Sequence, residues 1–209
     1  MFAGLTHVLR SPYLLGICVF VACGKLTATF IYNNLQLALS GEMPDQMERT
    51  QLFSQMNLIA QSGSLVTQAL VAGWLMKRMG LTFTMCLPCI LMGSLFVWLS
   101  WQGNWTTLVV GQVCSQILGY GLLVPAQHVL FTVVSREDKY KSKAFTDIVV
   151  FRGSDVAAGK ACDWMIRSGA TLSLLSAWML PVMAVWGSAA AWTGYHYRHR
   201  LQREGPVQD

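Results

Sequence analysis

The chain has 209 residues, 54% of them hydrophobic and 12% charged. A soluble domain carries about 25% charged residues. Here long apolar runs recur from end to end, which excludes an ordinary soluble domain and marks a polytopic membrane protein. Fifteen Lys and Arg stand against ten Asp and Glu, a formal charge of +5. Their placement, taken up below, speaks for topology and anionic lipid headgroups rather than nucleic acid.

The first span is expected over Tyr13 to Ala38. Arg10, the run Leu14 to Ala22 and the tetrad Phe20-Val21-Ala22-Cys23 imitate a lipoprotein signal. The apolar character continues past Lys25 to Tyr32, too long for a signal h-region, so a membrane span is the better reading. Gly41, Pro44 and Asp45 form a turn. The second span, Leu52 to Met76, is the least apolar of the ordinary spans. It carries Gln55, Asn57, Gln61 and Gln68 and is expected to pack inside the bundle.

Lys77-Arg78-Met79-Gly80 closes that span, and the third follows from Leu81 to Trp101. The fourth covers Trp105 to Val134, with Gly119, Gly121 and Pro125 expected to bend it. Ser135 to Lys143 is a charged connector, and Ala144 to Ile166 is the fifth span. A turn at Ser168-Gly169 leads to the sixth, Leu172 to Tyr195. The expected division is a six-span domain over 1–197 and a short, frayed basic tail over 198–209.

The fifth span is unlike the others. On a helix at about 100° per residue, with Asp147 at about 0°, Asp155 falls near 80°, Arg152 near 140°, Asp163 near 160° and Lys160 near 220°. Four of the five charges share an arc of roughly 140°, so this helix cannot face lipid all round. Six spans put both termini on one side. That side holds Arg10, Lys77, Arg78, Arg136, Lys139, Lys141, Lys143, Arg198, Arg200 and Arg203, whereas the other holds Arg49 and Arg167. By the positive-inside pattern both termini are cytoplasmic, and the expected location is the cell (inner) membrane.

Lys25, Arg152 and Asp155 are the substrate-site candidates. Lys25 sits midway along its span, and Arg152 and Asp155 are close enough in register to pair. Either they form an ion-pair network that holds the bundle, or they form a substrate or coupling-ion site. Lys25 with Arg152 suits an anion, and Arg152 is the leading candidate to bind it. Lys77, Arg78 and Asp147 are candidates for cytoplasmic gating, and Lys160 with Asp163 for a secondary charge network. Gln112, Gln116, Gln127 and His128 on the fourth span either line the same cavity or hydrogen-bond between helices.

Other chemistry is poorly supported. Cys86 and Cys89 have redox spacing but no charged activator, and the six cysteines read as small packing residues. His196 and His199 supply two ligands at most, so no metal or cofactor is expected. No nucleophile–base pair or phosphate loop stands at workable spacing, so no enzyme is expected.

Gly73-Trp-Leu75-Met-Lys77-Arg78-Met-Gly80 resembles the cytoplasmic G-x-L-x-D-R-x-G loop of the major facilitator superfamily, with Lys77 where the family has Asp. The pattern Lys141-x-Lys143-x-x-x-Asp147-x-x-x-x-Arg152-Gly153, the stretch Asp45 to Gly80, and Arg10-Ser11-Pro12-Tyr13-Leu14 are similar to the C-terminal half of the ATP/ADP translocase-like branch. The resemblance implies an all-α membrane bundle of six transmembrane helices corresponding to helices seven to twelve, half of a major facilitator fold. It also implies secondary transport of a small solute, an anion or nucleotide, by alternating access or antiport. The implied partner is an N-terminal six-helix half or a second copy. The alternative is a non-transporting membrane fragment, or a scaffold that docks a partner through the charged helix.

Overall fold

A computed structural model describes residues 11–134, 143, 145–169 and 171–204, and its secondary structure is entirely helical over these residues. Arg10, Lys141, most of the 135–143 connector, the side chain of Asp147 and the end of the tail lie outside them. Six helices follow in order: α1 (Pro12–Glu42), α2 (Gln46–Met79), α3 (Leu81–Gln102), α4 (Trp105–Val133), α5 (Thr146–Val150 continuing as Phe151–Arg167) and α6 (Leu172–Glu204). All except α5 are long and apolar enough to cross a membrane. The exception is the charged helix expected as the fifth span. Arg152, Asp155, Lys160 and Asp163 set it apart from its neighbours.

Two boundaries differ from expectation, each for a local reason. α2 starts at Gln46 rather than Leu52. Asp45 caps it, its Oδ1 accepting the Met47 N–H at 3.0 Å, so a polar first turn precedes the apolar run. α6 continues to Glu204 instead of fraying beyond Tyr195. The Arg200 guanidinium lies 4.8 Å over the Tyr13 ring, and Arg198 fills the space beside Gly80 that a Cβ would take. These contacts hold the start of the expected tail on the bundle.

α1 is the central helix, packed against α4, α5 and α6, while α3 and α6 share the most extensive interface. Close approach depends on small residues. A Cβ on Gly194 of α6 would stand 2.5 Å from the Thr82 hydroxyl of α3, and one on Gly16 of α1 would stand 2.5 Å from the Trp192 ring. The Tyr13 hydroxyl donates to the Leu130 carbonyl at 2.9 Å, where α4 tightens into a 3₁₀ turn. Phe30 and Phe96 meet edge-on at 5.9 Å in the core. The outer surface is apolar too. On α3, Met85, Met92, Phe96 and Leu99 are buried, while Ile90, Leu91, Val97 and Trp98 are exposed. In water such a surface would aggregate; in lipid it is the ordinary exterior.

Three helices contain π turns: Thr67–Ala72 in α2, Gly119–Leu123 in α4 and Thr146–Val150 in α5. The second occurs where the sequence suggested a bend. Pro125 has no N–H for the preceding turn, and the π turn accommodates the missing bond. The α2 and α4 π turns face each other. A Cβ on Gly121 would stand 2.8 Å from the Thr67 side chain.

Candidate functional site

The site begins with the register of α1. Lys25, Thr29 and Asn33 recur every fourth residue, so they share one stripe of the helix. That stripe faces α5. Thr29 Oγ1 donates to Asp155 Oδ1 at 2.5 Å, and Lys25 Nζ lies 3.6 Å from the same oxygen. The two charged side chains are 27% and 34% exposed, and theirs is the only ion pair among the described residues. Lys25 Nζ also stands 4.7 Å over the centre of the Phe151 ring. This places the ammonium between a carboxylate and an aromatic face.

The pair opens onto a cavity of about 600 Å³ bounded by residues of all six helices. Asn57 and Gln61 reach it from α2, and Gln112, Gln116 and Gln127 from α4. Gln116 Nε2 donates to Asn57 Oδ1 at 3.3 Å, joining α2 to α4 at the wall. Trp186 of α6 closes the opposite side. Its indole fits because residue 24 is glycine: a Cβ there would stand 3.1 Å from the ring. Trp186 Nε1 and Gln112 Oε1 are buried atoms without hydrogen-bond partners among the described residues. A buried polar atom left unpaired costs about 1–3 kcal/mol, so each is a local cost in the packing around the cavity.

A second recess, of about 730 Å³ and more open, lies further along α1 toward the α1–α2 turn. Gln36, Ser40, Arg49 and Asp163 line it, and Asn33 borders both spaces. The two cavities therefore follow one polar stripe, from the middle of α1 to its C-terminal end.

The expected site residues separate into groups. Lys25 and Asp155 come together at the cavity. Arg152 does not join them: it is exposed, and Asp155 pairs across helices with Lys25 rather than along α5 with Arg152. Lys160 and Asp163 are also exposed and make no ion pair with one another; Asp163 borders the second recess. Lys77 and Arg78 end α2 at the surface, with Arg78 5.6 Å over the Trp74 ring. Asp147 lies in the α5 π turn, with its side chain outside the described residues. Gln55, Gln68 and His128 do not line the cavity, and His128 Nδ1 instead lies 3.3 Å from Lys143 Nζ.

Sequence reasoning missed four residues that line the cavity, Thr29, Asn33, Tyr120 and Trp186. The first two had a readable signal, the four-residue spacing from Lys25. Trp186 had none, since a tryptophan in an apolar span looks the same whether it faces lipid or a cavity. No protein-family model, no curated protein and no solved structure matches this chain.

Proposed function

We propose that this chain is a membrane carrier unit that moves a small polar solute bearing an anionic group, with Lys25 and Asp155 at its binding site. One observation carries the reading: a polar cavity within an apolar helical bundle, holding an ion pair near the middle of α1. Ionisable groups at membrane depth are costly and usually mark solute or ion pathways. A cavity of this size lies within the range of small-molecule sites. The amide-rich walls from α2 and α4 and the facing π turns of the same helices support a site that can deform, since π turns often occur at functional positions in helices.

In this reading α5 also crosses the membrane, as the fifth of six spans, and the fold is half of a major facilitator-type carrier. Arg152, Lys160 and Asp163 are exposed on α5, and Gln55 and Gln68 on α2. A polar face of that extent is unfavourable against lipid, which supports a partner unit there: an N-terminal six-helix half or a second copy. The loop charges support cytoplasmic termini in a cell (inner) membrane. Lys77, Arg78 and Asp147, on the cytoplasmic side in this topology, are the proposed gating residues, Asp147 following Lys143 closely in sequence. A docking scaffold would use the exposed face of α5 but has no need of the polar cavity.

The test is uptake into proteoliposomes by the full chain, alone and with a candidate partner unit, over a panel of nucleotides, phosphate and amino acids. Saturable uptake lost in Lys25→Ala is the expected result. Absence of uptake for every solute, with and without a partner, would sink the carrier reading in favour of the scaffold.

A further inference from the structure

The charge balance of the cavity bears on the solute itself. Among the described residues that line it, Lys25 and Asp155 are the only charged ones, so the wall carries no net charge. The two groups face each other at 3.6 Å, and both are partly open to the cavity. A solute with only an anionic group would compete with Asp155 for Lys25 and leave an excess negative charge in a cavity only partly open to solvent. Uncompensated buried charge is among the most unfavourable arrangements in a protein. A solute with only a cationic group leaves the opposite imbalance.

We infer that the solute is a net-neutral zwitterion of the amino-acid class, its carboxylate received by Lys25 Nζ and its ammonium by the Asp155 carboxylate. This opens the ion pair without changing the charge of the cavity. Thr29 holds the Oδ1 of Asp155 through its 2.5 Å hydrogen bond, and the Phe151 ring face lies beside Lys25 Nζ. The amide side chains on the wall, Asn57, Gln61, Gln116 and Gln127, both donate and accept, so they complement a solute with an additional acceptor and donor, as in a carboxamide. Phe20, Met92 and the Trp186 ring leave room for an apolar or aromatic portion.

The inference rests on the carrier reading for the site, but it concerns the ligand and is separable from transport. Two matched series provide the probes. One is glutamine, its anion glutaramate and its cation γ-aminobutyramide; the other is phenylalanine, hydrocinnamate and phenethylamine. Binding to the purified chain is measured by calorimetry, and uptake in proteoliposomes. The expected result is a preference for the zwitterion of roughly tenfold or more over both relatives in at least one series, reflecting the cost of uncompensated charge. Asp155→Asn should shift the preference toward the anion by about tenfold, since the wall then carries one positive charge. A merely structural role for Asp155 would not produce that shift.

An anion bound as well as the zwitterion overturns the inference, as does a folded wild-type chain that binds none of the six compounds. Zwitterion binding without uptake, both with and without a partner unit, upholds the ligand assignment and removes the carrier reading. Phosphate or nucleotide uptake without zwitterion binding does the reverse. If Asp155→Asn does not fold, the wild-type comparison decides the question.

Discussion

Lys25 of α1 and Asp155 of α5 form an ion pair between two helices that are far apart in the chain, with Thr29 bonded to the same carboxylate oxygen. An ion pair in this position either holds the bundle or binds solute, and the two roles respond differently to neutralisation. Lys25→Met leaves Asp155 without its cation and should destabilise by about 1–3 kcal/mol, less than for a fully buried pair because both groups are partly exposed. The double change Lys25→Met with Asp155→Asn removes both charges and should recover most of that loss. Transport should stay abolished in the double variant. Thermal unfolding in detergent and uptake, measured on the same preparations, check both parts. Recovered uptake in the double variant would assign the pair to structure alone.

Helix packing gives a second contrast, on a single helix. Gly194 of α6 lies against Thr82, where an added Cβ would come within 2.5–2.8 Å of three side-chain atoms. Gly187 of the same helix has no such neighbour within 4 Å. Gly194→Ala should push α3 and α6 apart and cost about 1–3 kcal/mol. Gly187→Ala should be neutral or stabilising by up to about 1 kcal/mol, because alanine favours the helix. The difference in melting temperature between the two variants is the measurement. Equal effects would mean that the α3–α6 contact is looser than described.

The end of the bundle where α6 meets the start of α1 depends on a smaller bond. Tyr13 donates to the Leu130 carbonyl, and Arg200 covers the Tyr13 ring. Tyr13→Phe keeps the ring under Arg200 and leaves the carbonyl unpaired, so a loss of about 0.5–1.5 kcal/mol is expected. Tyr13→Ala also removes the packing surface and should cost more, about 3–5 kcal/mol as for other large buried aromatic truncations. Limited proteolysis of the C-terminal part of α6 should accelerate in Tyr13→Ala and change little in Tyr13→Phe. The reverse order would show that the hydrogen bond, not the ring, holds α6.

Which of these features were legible beforehand follows from what each depends on. Helical character and the apolar runs are properties of single segments, and periodicity and composition display them. The stripe Lys25, Thr29, Asn33 was equally local, yet only Lys25 stood out because only it is charged. The start of α2 was misplaced because hydropathy finds the apolar run at Leu52, while the helix begins where Asp45 satisfies a free N–H. The end of α6 was misplaced because Arg198 and Arg200 look solvent-bound until Gly80 and Tyr13 are placed beside them. The π turns of α2 and α4 depend on each other, through Thr67 and Gly121, and no single-helix pattern contains that relationship.

Arg152 provides the last test, because it separates two places where a solute could bind. The side chain is exposed and lies outside the residues that line the cavity, although it is only one position from Phe151, which does line it. If the site is the polar cavity, Arg152→Ala should leave solute affinity within about twofold of wild type, as for a surface charge away from the ligand. Lys25→Ala should then weaken affinity by at least about tenfold, the scale of a lost charge-assisted contact. Affinity measured for both variants, with the same solute, decides between the alternatives. Should Arg152→Ala be the damaging change and Lys25→Ala the mild one, the binding surface is the outer face of α5, shared with a partner unit. The Lys25–Asp155 pair would then be part of the scaffold that supports that face.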